Sequence, residues 1–525
     1  MANKVNLDAM VPRGDLDTTM PSHARSGQAR TTVALKELEK DQWFYVGLRK
    51  PDFQRETNEW EPRKVAGFIE SVLNWDLIPA MILWESPNGD NYVVDGCHRL
   101  SSLIAWMNDD YGDRAISKAF YDSAIPDQQL RIADRTRKLV NKTVGPYSDY
   151  VLAATNPEKV RGDIAERAKR LGGKGLDLQW VKGDASNAER SFFKINQEAA
   201  PIDQTELRVL QARRKPLGIA ARAIVRNAEG HKYWAHFSPD IQERLERLAK
   251  EVHSLLFEPP LPSGATKTTE LPIGGERSSG QSLPLVLELL SLVSGTDVNS
   301  EDLDGAATVA CLERCKRVIQ AICSDDHGSL GLHPVVYFYS PVGRHKVASF
   351  WATTLFVQDL IARKEVDRFV DVREEFELLL RNYDYLSQQI VRGRRGGVAS
   401  VKVLRDFYFA LVDSLKAGNS ADEAAAEVVR SKKFPQLSKV AIDDREFGPE
   451  FSTGAKSEIF LAKAMGGAPK CAECRGYLHR NAITIDHIQR KADGGLGDPQ
   501  NGDLLHPYCN SGRREKKAAA AKQGR

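Results

Sequence analysis

"CAECRGYLHRNAITIDHIQRKADGGLGDPQNGDLLHPYCNSGRREKK", residues 471–517, carries a pair of metal-ligating residues near each of its ends. Cys471-x2-Cys474 forms the first pair, and His506-x2-Cys509 forms the second. Each pair can sit on a tight turn, and together they supply the four ligands of a tetrahedral zinc ion. So short a segment buries little apolar surface, and structural zinc contributes on the order of 10–16 kcal/mol to the folding of finger-sized peptides. The spacing therefore predicts a structural zinc site.

A β-type run lies between the two ligand pairs. "AITIDHI" (482–488) ends in the polar pair Asp486-His487, and Asn501 and Asn510 follow after a glycine-rich loop. The four zinc ligands alone fit a purely structural ribbon equally well. The added acid, imidazole and amides favour a site that acts on a substrate.

This order and spacing resembles the HNH nuclease motif, whose ββα-metal fold places an Asp-His pair on a strand and a third polar residue on the following helix. The resemblance covers all of residues 471–517. It implies that His487 is the general base that activates water against a phosphodiester, and that Asp486 and Asn510 hold one divalent ion, Mg²⁺ or Mn²⁺. Asn501 would brace the loop that carries His487. The third family position is often His, and Asn510 stands there with an oxygen ligand that suits Mg²⁺.

Two arginine-rich stretches are candidates for contact with a DNA backbone. The tail "GRREKKAAAAKQGR" (512–525) supplies basic groups, although such a tail is often only a solvated end. "VRGRRGGVASVKVLR" (391–405) concentrates arginines around glycines, and a solvated loop is its equal alternative. The predicted DNA contacts are Arg392, Arg394, Arg395, Arg513 and Arg514.

"YVVDGCHRLSSLIAW" (92–106) reads as a buried strand that breaks at Asp95-Gly96 and restarts as a helix. A helix N-terminus presents free backbone N–H groups and about half a unit of positive charge, so it favours a phosphate. Gly96 lacks the side chain that would block a close approach, and Arg99 can fork onto phosphate oxygens. The alternatives are a plain turn in which Asp95 caps the helix, and a reactive thiol at Cys97.

Two flanking motifs favour the phosphate site. "FQRETNEW" (53–60) precedes the turn, and "FFKINQEAAPIDQTEL" (192–207) follows it. The ordered set resembles the ParB/sulfiredoxin-like domain at the N-terminus of modification-dependent, type IV restriction endonucleases of the GmrSD type. The resemblance spans about residues 40–210. In that family the turn typically reads Asp-Gly-Gln-Gln-Arg, whereas Cys97 and His98 replace the two glutamines here.

The resemblance implies binding of a nucleoside triphosphate, ATP or GTP, and leaves its hydrolysis open. In this interpretation Asp95 places a metal or water, and His98 donates to phosphate. The predicted nucleotide-binding residues are Gln54, Arg55, Asp95, Gly96, His98, Arg99 and Asn196. "GCHR" is also the sulfiredoxin signature, but sulfiredoxins are small single domains, so Cys97 is predicted to be a packed bystander.

The chain has 525 residues, enough for three or four domains. With 74 basic and 71 acidic residues it is not a polycation, so a nucleic-acid surface must be a local patch. An odd set of seven cysteines indicates reduced thiols or metal ligands, and Cys311, Cys315 and Cys323 are predicted to be core thiols. No stretch of about 18 apolar residues and no secretory leader is visible, so we expect a cytoplasmic protein without a membrane segment.

The predicted fold class is α+β with several domains. They are a flexible segment (1–38), a ParB/sulfiredoxin-like α/β domain (39–215), a mostly helical coupling region (216–455) with a flexible loop at 258–284, and a zinc-stapled ββα-metal HNH domain with a basic tail (456–525).

The resulting hypothesis is an anti-phage restriction endonuclease that nicks or cuts double-stranded DNA under nucleotide control, with structural Zn²⁺ and a catalytic divalent ion. The resemblance alone suggests that a chemical mark on phage DNA activates it, and a homo-oligomer stays open. One alternative is a ParB-like DNA-binding regulator with a non-catalytic zinc module. The other is a nuclease without nucleotide control.

Overall fold

The computed structural model describes residues 4–513 apart from 17–29, 53, 55–56, 59, 122, 124, 172, 174, 200–207, 209–211, 263, 278–281, 295–299, 395–396 and 439–447. The chain divides into two compact units. The N-terminal unit comprises residues 1–213 and 229–233, and the C-terminal unit comprises residues 214–228 and 234–525.

A six-stranded mixed sheet forms the centre of the N-terminal unit. Its strands are β1 (Arg13–Gly14), β2 (Thr32–Ala34), β3 (Leu48–Pro51), β4 (Met81–Glu85), β5 (Asn91–Asp95) and β6 (Gly175–Trp180). They lie in the order β1-β3-β5-β4-β6-β2. Strand β5 runs parallel to β3 and antiparallel to β4, so its carboxyl end, where the Asp-Gly turn begins, lies inside the sheet and not at its edge.

Helices cover this sheet. They are α1 (Trp43–Val46), α2 (Pro62–Leu73), α3 (Cys97–Met107), α4 (Ala115–Phe120), α5 (Asp127–Thr143), α6 (Tyr147–Ala153), α7 (Gly162–Leu171) and α8 (Ala185–Ala199). Pro62 suits the first turn of α2, where its missing N–H has no partner to lose. Apolar side chains at helical spacing, Ile69 of α2 and Leu103 of α3, are buried in one core with Val93 of β5. This packing fixes α3 directly after the turn.

The prediction of a flexible segment over residues 1–38 is wrong for residues 4–16. Val5, Leu7 and Met10 are buried in the core of the sheet. The backbone N–H of Leu7 donates to the carbonyl of Thr57 at 2.8 Å. These apolar residues follow neither helical nor strand periodicity, so only tertiary contacts, which no sequence pattern encodes, place them in the core.

The C-terminal unit is mostly helical. Its helices are α9 (Pro216–Val225), α10 (Pro239–Phe257), α11 (Ser282–Ser294), α12 (Ala306–Ile322), α13 (Pro334–Tyr337), α14 (Val347–Ala362), α15 (Val366–Val370), α16 (Arg373–Asn382), α17 (Asp384–Gly393), α18 (Gly397–Lys416), α19 (Ala421–Arg430) and α20 (Thr453–Gly466). Phe356 of α14 stacks on Phe376 of α16 and meets Tyr408 of α18 edge-on, so these helices share an aromatic core. Cys311, Cys315 and Cys323 are buried, as predicted.

The loop at 258–284 is not flexible in its described part. Leu271 and Ile273 are fully buried. The carbonyl of Pro272 accepts a hydrogen bond from the Tyr339 hydroxyl at 2.7 Å, and the carbonyl of Ile273 lies 2.9 Å from Nε2 of His345. Prolines and glycines in this loop separate apolar residues, and those residues bury the loop against the helices.

After α20 the chain forms a short antiparallel hairpin of β7 (Thr484–His487) and β8 (Gly502–Leu505), followed by a π-helical segment, Tyr508–Arg513. The mixed α+β class is thus confirmed, while the ParB/sulfiredoxin-like assignment stays a prediction. Among the described residues, no helix is long and apolar enough to cross a membrane.

Candidate metal centre and active site

Four ligand-type side chains converge at the C-terminal end of the chain. Cys471, Cys474, His506 and Cys509 are buried, and their ligand atoms all lie within 4.8 Å of one another. Sγ of Cys474 is 3.3 Å from Nδ1 of His506. Three thiols and one imidazole at this spacing fit a closed, tetrahedral structural zinc site.

The first ligand pair sits on a tight turn. The backbone N–H of Cys471 donates to the carbonyl of Gly476, and that of Arg475 donates to the carbonyl of Cys471, both at 2.9 Å. Arg475 adopts a left-handed φ of 59°. A Cβ atom at Gly476 would lie 2.4 Å from Nε of Arg373, so only glycine fits where this guanidinium packs.

Hydrogen bonds prepare the donor atoms for a cation. Nε2 of His506 lies 3.0 Å from the Tyr477 carbonyl, which leaves the Nδ1 lone pair facing the thiols. Burial, with help from the Arg373 cation, lowers the pKa of His506 and keeps the imidazole neutral. Hydrogen bonds among the three thiols lower the pKa of Cys471 and raise the pKa of Cys474 and of Cys509, so one of the three is favoured as the thiolate and the other two must lose protons when a metal binds. A neutral imidazole and a thiolate are the protonation states that zinc requires.

A buried ion pair on α16 supports the metal centre. Nε of Arg373 bonds to Oε1 of Glu377 at 2.7 Å, and both side chains are fully buried. Oε2 of Glu377 accepts from the backbone N–H of Tyr477 at 2.7 Å, and Nη1 of Arg373 lies 3.3 Å from Nδ1 of His506. The zinc turn is thereby tied to the helical part of its unit. These two residues were not predicted, because they lie about a hundred positions from the motif they support.

The hairpin places Asp486 and Asn510 on the same side of β7. Residues two apart in a strand share a face, so Thr484 and Asp486 project together. Nδ2 of Asn510 donates to Oγ1 of Thr484 at 3.2 Å. His487 follows on the opposite face, and its backbone N–H donates to Oδ1 of Asp486 at 2.8 Å. Asp486 and Asn510 therefore lie on one side of the end of β7, and His487 is the adjoining residue on the other side.

Asn501 closes the loop that follows His487. Its Oδ1 accepts from the backbone N–H of Gln489 at 2.7 Å, and its Nδ2 donates to the carbonyl of Leu496 at 2.6 Å. Its own carbonyl accepts from the N–H of Ile488 at 2.8 Å. The Asn501 side chain thus joins both ends of the loop, which is consistent with the bracing role that the sequence analysis gave it.

The predicted DNA-contacting arginines fall into three groups. Arg392 and Arg394 are exposed, as contact with DNA requires, while Arg395 and Arg514 lie outside the described residues. Arg513 is partly buried and pairs with the exposed carboxylate of Asp371, so a phosphate would have to compete with that carboxylate and its contact with DNA stays a prediction.

The N-terminal turn has the backbone that a close approach requires. Gly96 has a φ of 99°, and a Cβ atom there would lie 2.5 Å from Sδ of Met81. Helix α3 begins at the next residue, so its free N–H groups open toward the turn. Nη2 of Arg99 bonds to Oδ2 of Asp95 at 2.6 Å, and the guanidinium also donates to the carbonyl of Pro79.

A pocket opens at this turn. Its described lining residues are Gln54, Thr57, Trp60, Asp95, Gly96, Cys97, His98, Arg99 and Phe192. The pocket thus brings together five of the seven predicted nucleotide-binding residues. Arg55 and the side chain of Asn196 lie outside the described residues.

Aromatic residues that sequence analysis missed shape this pocket. The ring of His98 stacks on Trp60 with centroids 5.7 Å apart, and Nζ of Lys64 lies 4.8 Å from the Trp60 centroid. Trp60 is the last residue of the "FQRETNEW" motif, and its place in that motif is the feature of the sequence that could have identified it as a pocket residue. Cys97 is buried, with its Sγ 3.5 Å from Oγ1 of Thr57.

Comparison with known families gives two matches. Residues 35–211 match the family model described as the N-terminal domain of the GmrSD restriction endonuclease, and residues 471–516 match the model described as HNH endonuclease. No curated protein and no solved structure matches the chain. The first match covers the pocket at the Asp-Gly turn, and the second covers the zinc ligands and the hairpin. The chain is therefore a DNA endonuclease that combines a GmrSD N-terminal domain with a C-terminal HNH domain, in the manner of a GmrSD-like type IV restriction endonuclease.

Proposed function

We propose that the chain hydrolyses phosphodiesters of double-stranded DNA at the β7–β8 hairpin, and that a nucleoside triphosphate bound at the N-terminal turn controls this activity. The observation that carries the first part is the shared face of Asp486 and Asn510, with His487 beside them at the end of β7. The zinc ligands would hold this arrangement together and take no part in the chemistry.

The chemistry follows from the residue types. Asp486 and Asn510 offer oxygen ligands to Mg²⁺ or Mn²⁺, which when bound there would neutralise charge on the scissile phosphate and the leaving oxygen. His487 would take the proton from the attacking water. Asn501, through its bonds to the loop backbone, would keep His487 oriented toward the phosphorus.

The nucleotide site rests on three features of the N-terminal turn. The start of α3 offers backbone N–H groups, Gly96 leaves room beside them, and Arg99 supplies a guanidinium. Because Arg99 is already bonded to Asp95, a bound phosphate would compete with that carboxylate for the guanidinium. Nucleotide binding would thus release Asp95, which could then place a metal ion or water.

Substitution of His487 tests the nuclease assignment. We expect His487→Ala to lower the rate of plasmid nicking in Mg²⁺ by about 10² to 10⁴, the usual contribution of a general base. His236→Ala, an exposed histidine of the same unit, is the matched control and should nick at the normal rate. Unchanged nicking by His487→Ala would refute the proposed base.

Substitution of Arg99 tests nucleotide control. Arg99→Ala should abolish binding and turnover of ATP or GTP and remove any nucleotide effect on cleavage, while basal nicking persists. Arg161→Ala removes an exposed arginine of the same unit that pairs only with neighbouring Asp163 among the described residues, and it should behave as wild type. If cleavage of modified and plain phage DNA is indifferent to every nucleotide in the wild-type protein, the chain is a nuclease without nucleotide control.

A further inference from the structure

The outer face of the HNH hairpin is apolar and exposed. Ile485 of β7 and Leu504 of β8 are directly opposed in register, and they are 74% and 36% exposed. Ile488 and Leu496 in the adjoining loop are exposed as well. Single exposed apolar residues are ordinary on protein surfaces, but Ile485 and Leu504 lie side by side on one face of the hairpin and form a small apolar patch.

This patch lies beside the proposed general base. Alternate residues of a strand share a face, so Ile485 and His487 project on the same side, about 7 Å apart along the strand. A Cβ atom at Gly502, opposite His487, would lie 3.4 Å from Cγ2 of Ile485, so the isoleucine leans toward the base. Any duplex that brings a phosphate to His487 must therefore cover Ile485.

The surroundings of the patch favour nucleic acid over an apolar protein partner. Arg490 and Lys491 are exposed in the loop and form no ion pair with any described residue. The carboxylate of Asp498 is occupied by the backbone N–H groups of Gln500 and Asn501 at the end of that loop. Apolar contacts to sugars and base edges with cations on the flanking phosphates are the pattern that DNA-deforming proteins use.

We propose that Ile485 and Leu504 form a wedge that presses on the sugars and base edges beside the scissile phosphate and unstacks a base step there. The proposal rests on the proposed catalytic role of His487. Unstacking costs least at pyrimidine–purine steps, so cleavage should concentrate at TA and CA/TG steps. A site that is already open, such as a mismatched bubble, should need no wedge.

A paired cleavage assay tests this role. The full-length, zinc-loaded protein is given one sequence as a perfect duplex and as a bubble with mismatches at the cleaved step. We expect Ile485→Ser with Leu504→Ser to lower kcat/KM on the duplex by about tenfold or more, because two apolar side chains lose their contact with the DNA. The same variant should cleave the bubble at nearly the wild-type rate and lose its preference for flexible steps.

Controls distinguish a failure of the proposed wedge from a failure of the proposed general base, His487. Ile485→Leu keeps an apolar side chain and should cleave the duplex at the wild-type rate. Ile459→Ser replaces an isoleucine of α20 that is 44% exposed and should leave the cleavage rates of both substrates unchanged. An equal loss on duplex and bubble overturns the wedge, as does a change of oligomeric state in sedimentation, which would make the patch a contact between copies of the chain. Normal cleavage by His487→Ala would instead overturn the proposed base, whatever the ratio between duplex and bubble.

Discussion

The zinc centre and the N-terminal turn are both supported by buried ion pairs. The pair at the zinc centre contacts a site residue directly, whereas the pair at the turn does not. At the zinc centre, Arg373 of the Arg373–Glu377 pair lies against the ligand His506 itself. At the turn, the buried carboxylate of Asp8 bonds to Lys50 and to the backbone N–H of Thr57, one step away from the pocket. The guanidinium that faces the pocket, Arg99, is held by a carboxylate that is 38% exposed.

This difference separates a fixed centre from one whose partners can exchange. An ion pair shut away from water costs several kcal/mol to break, whereas one at the surface contributes about 1 kcal/mol or less. The zinc ligands are therefore held in one geometry. The Arg99–Asp95 pair is only partly buried, so it should cost less to open for a phosphate than the Arg373–Glu377 pair, as a regulatory site requires.

Removal of zinc should have the largest effect and should be confined to the C-terminal unit. Structural zinc contributes on the order of 10–16 kcal/mol in small domains, so chelation or Cys474→Ser should unfold the hairpin and abolish cleavage. Zinc content, proteolysis around residues 467–513 and nicking measure this loss. Nucleotide binding at the N-terminal turn should persist. If nicking survives with no zinc bound, the centre does not hold the hairpin.

Loss of a buried ion pair should have the next largest effect, which is a decrease in the free energy of unfolding. Glu377→Ala leaves Arg373 buried without its carboxylate, and Asp8→Ala does the same to Lys50 and Arg13, so each should cost about 3–5 kcal/mol. Urea unfolding should show the loss in the C-terminal transition for the first variant and in the N-terminal transition for the second.

Glu374→Ala is the matched control for these variants. Its carboxylate is 44% exposed and 3.0 Å from Nζ of Lys470, so its loss should cost about 1 kcal/mol or less. If Glu374→Ala and Glu377→Ala lowered the free energy of unfolding equally, the distinction between the fixed zinc centre and the exchangeable N-terminal turn would not hold.

Loss of Asn501 should affect activity more than folding. Asn501→Ala removes the side chain that joins Gln489 to Leu496, and residues that orient an active-site group typically contribute 10-fold to 100-fold to activity. We expect about that decrease in nicking, with normal zinc content. Asn481→Ala is the control, because this asparagine precedes the hairpin and bonds to the carbonyl of Glu258. A normal nicking rate in Asn501→Ala would show that the loop orients itself.

The two centres also differ in what a sequence can reveal. The zinc ligands, Asp486 and Asn510 lie within 40 positions, and local spacing predicts them because a short zinc-bound segment must carry its own donors. The supporting residues Arg373 and Asp8 come from distant segments, and nothing in their neighbours distinguishes them. The pairing of Arg513 with Asp371, 142 positions earlier, is a contact of the same kind, because no local spacing could predict it.

The smallest effect is expected at Cys97. The thiol is buried, and its Sγ lies 3.5 Å from Oγ1 of Thr57 and 4.0 Å from Oγ of Ser101. A serine hydroxyl is slightly smaller than the thiol and finds hydrogen-bonding partners in the same two side chains, so Cys97→Ser should cost about 1 kcal/mol or less. Nucleotide turnover and nicking should stay at wild-type levels. Loss of nucleotide turnover in this variant would assign covalent thiol chemistry to the turn, and the pocket would then be a catalytic centre in place of an exchangeable phosphate site.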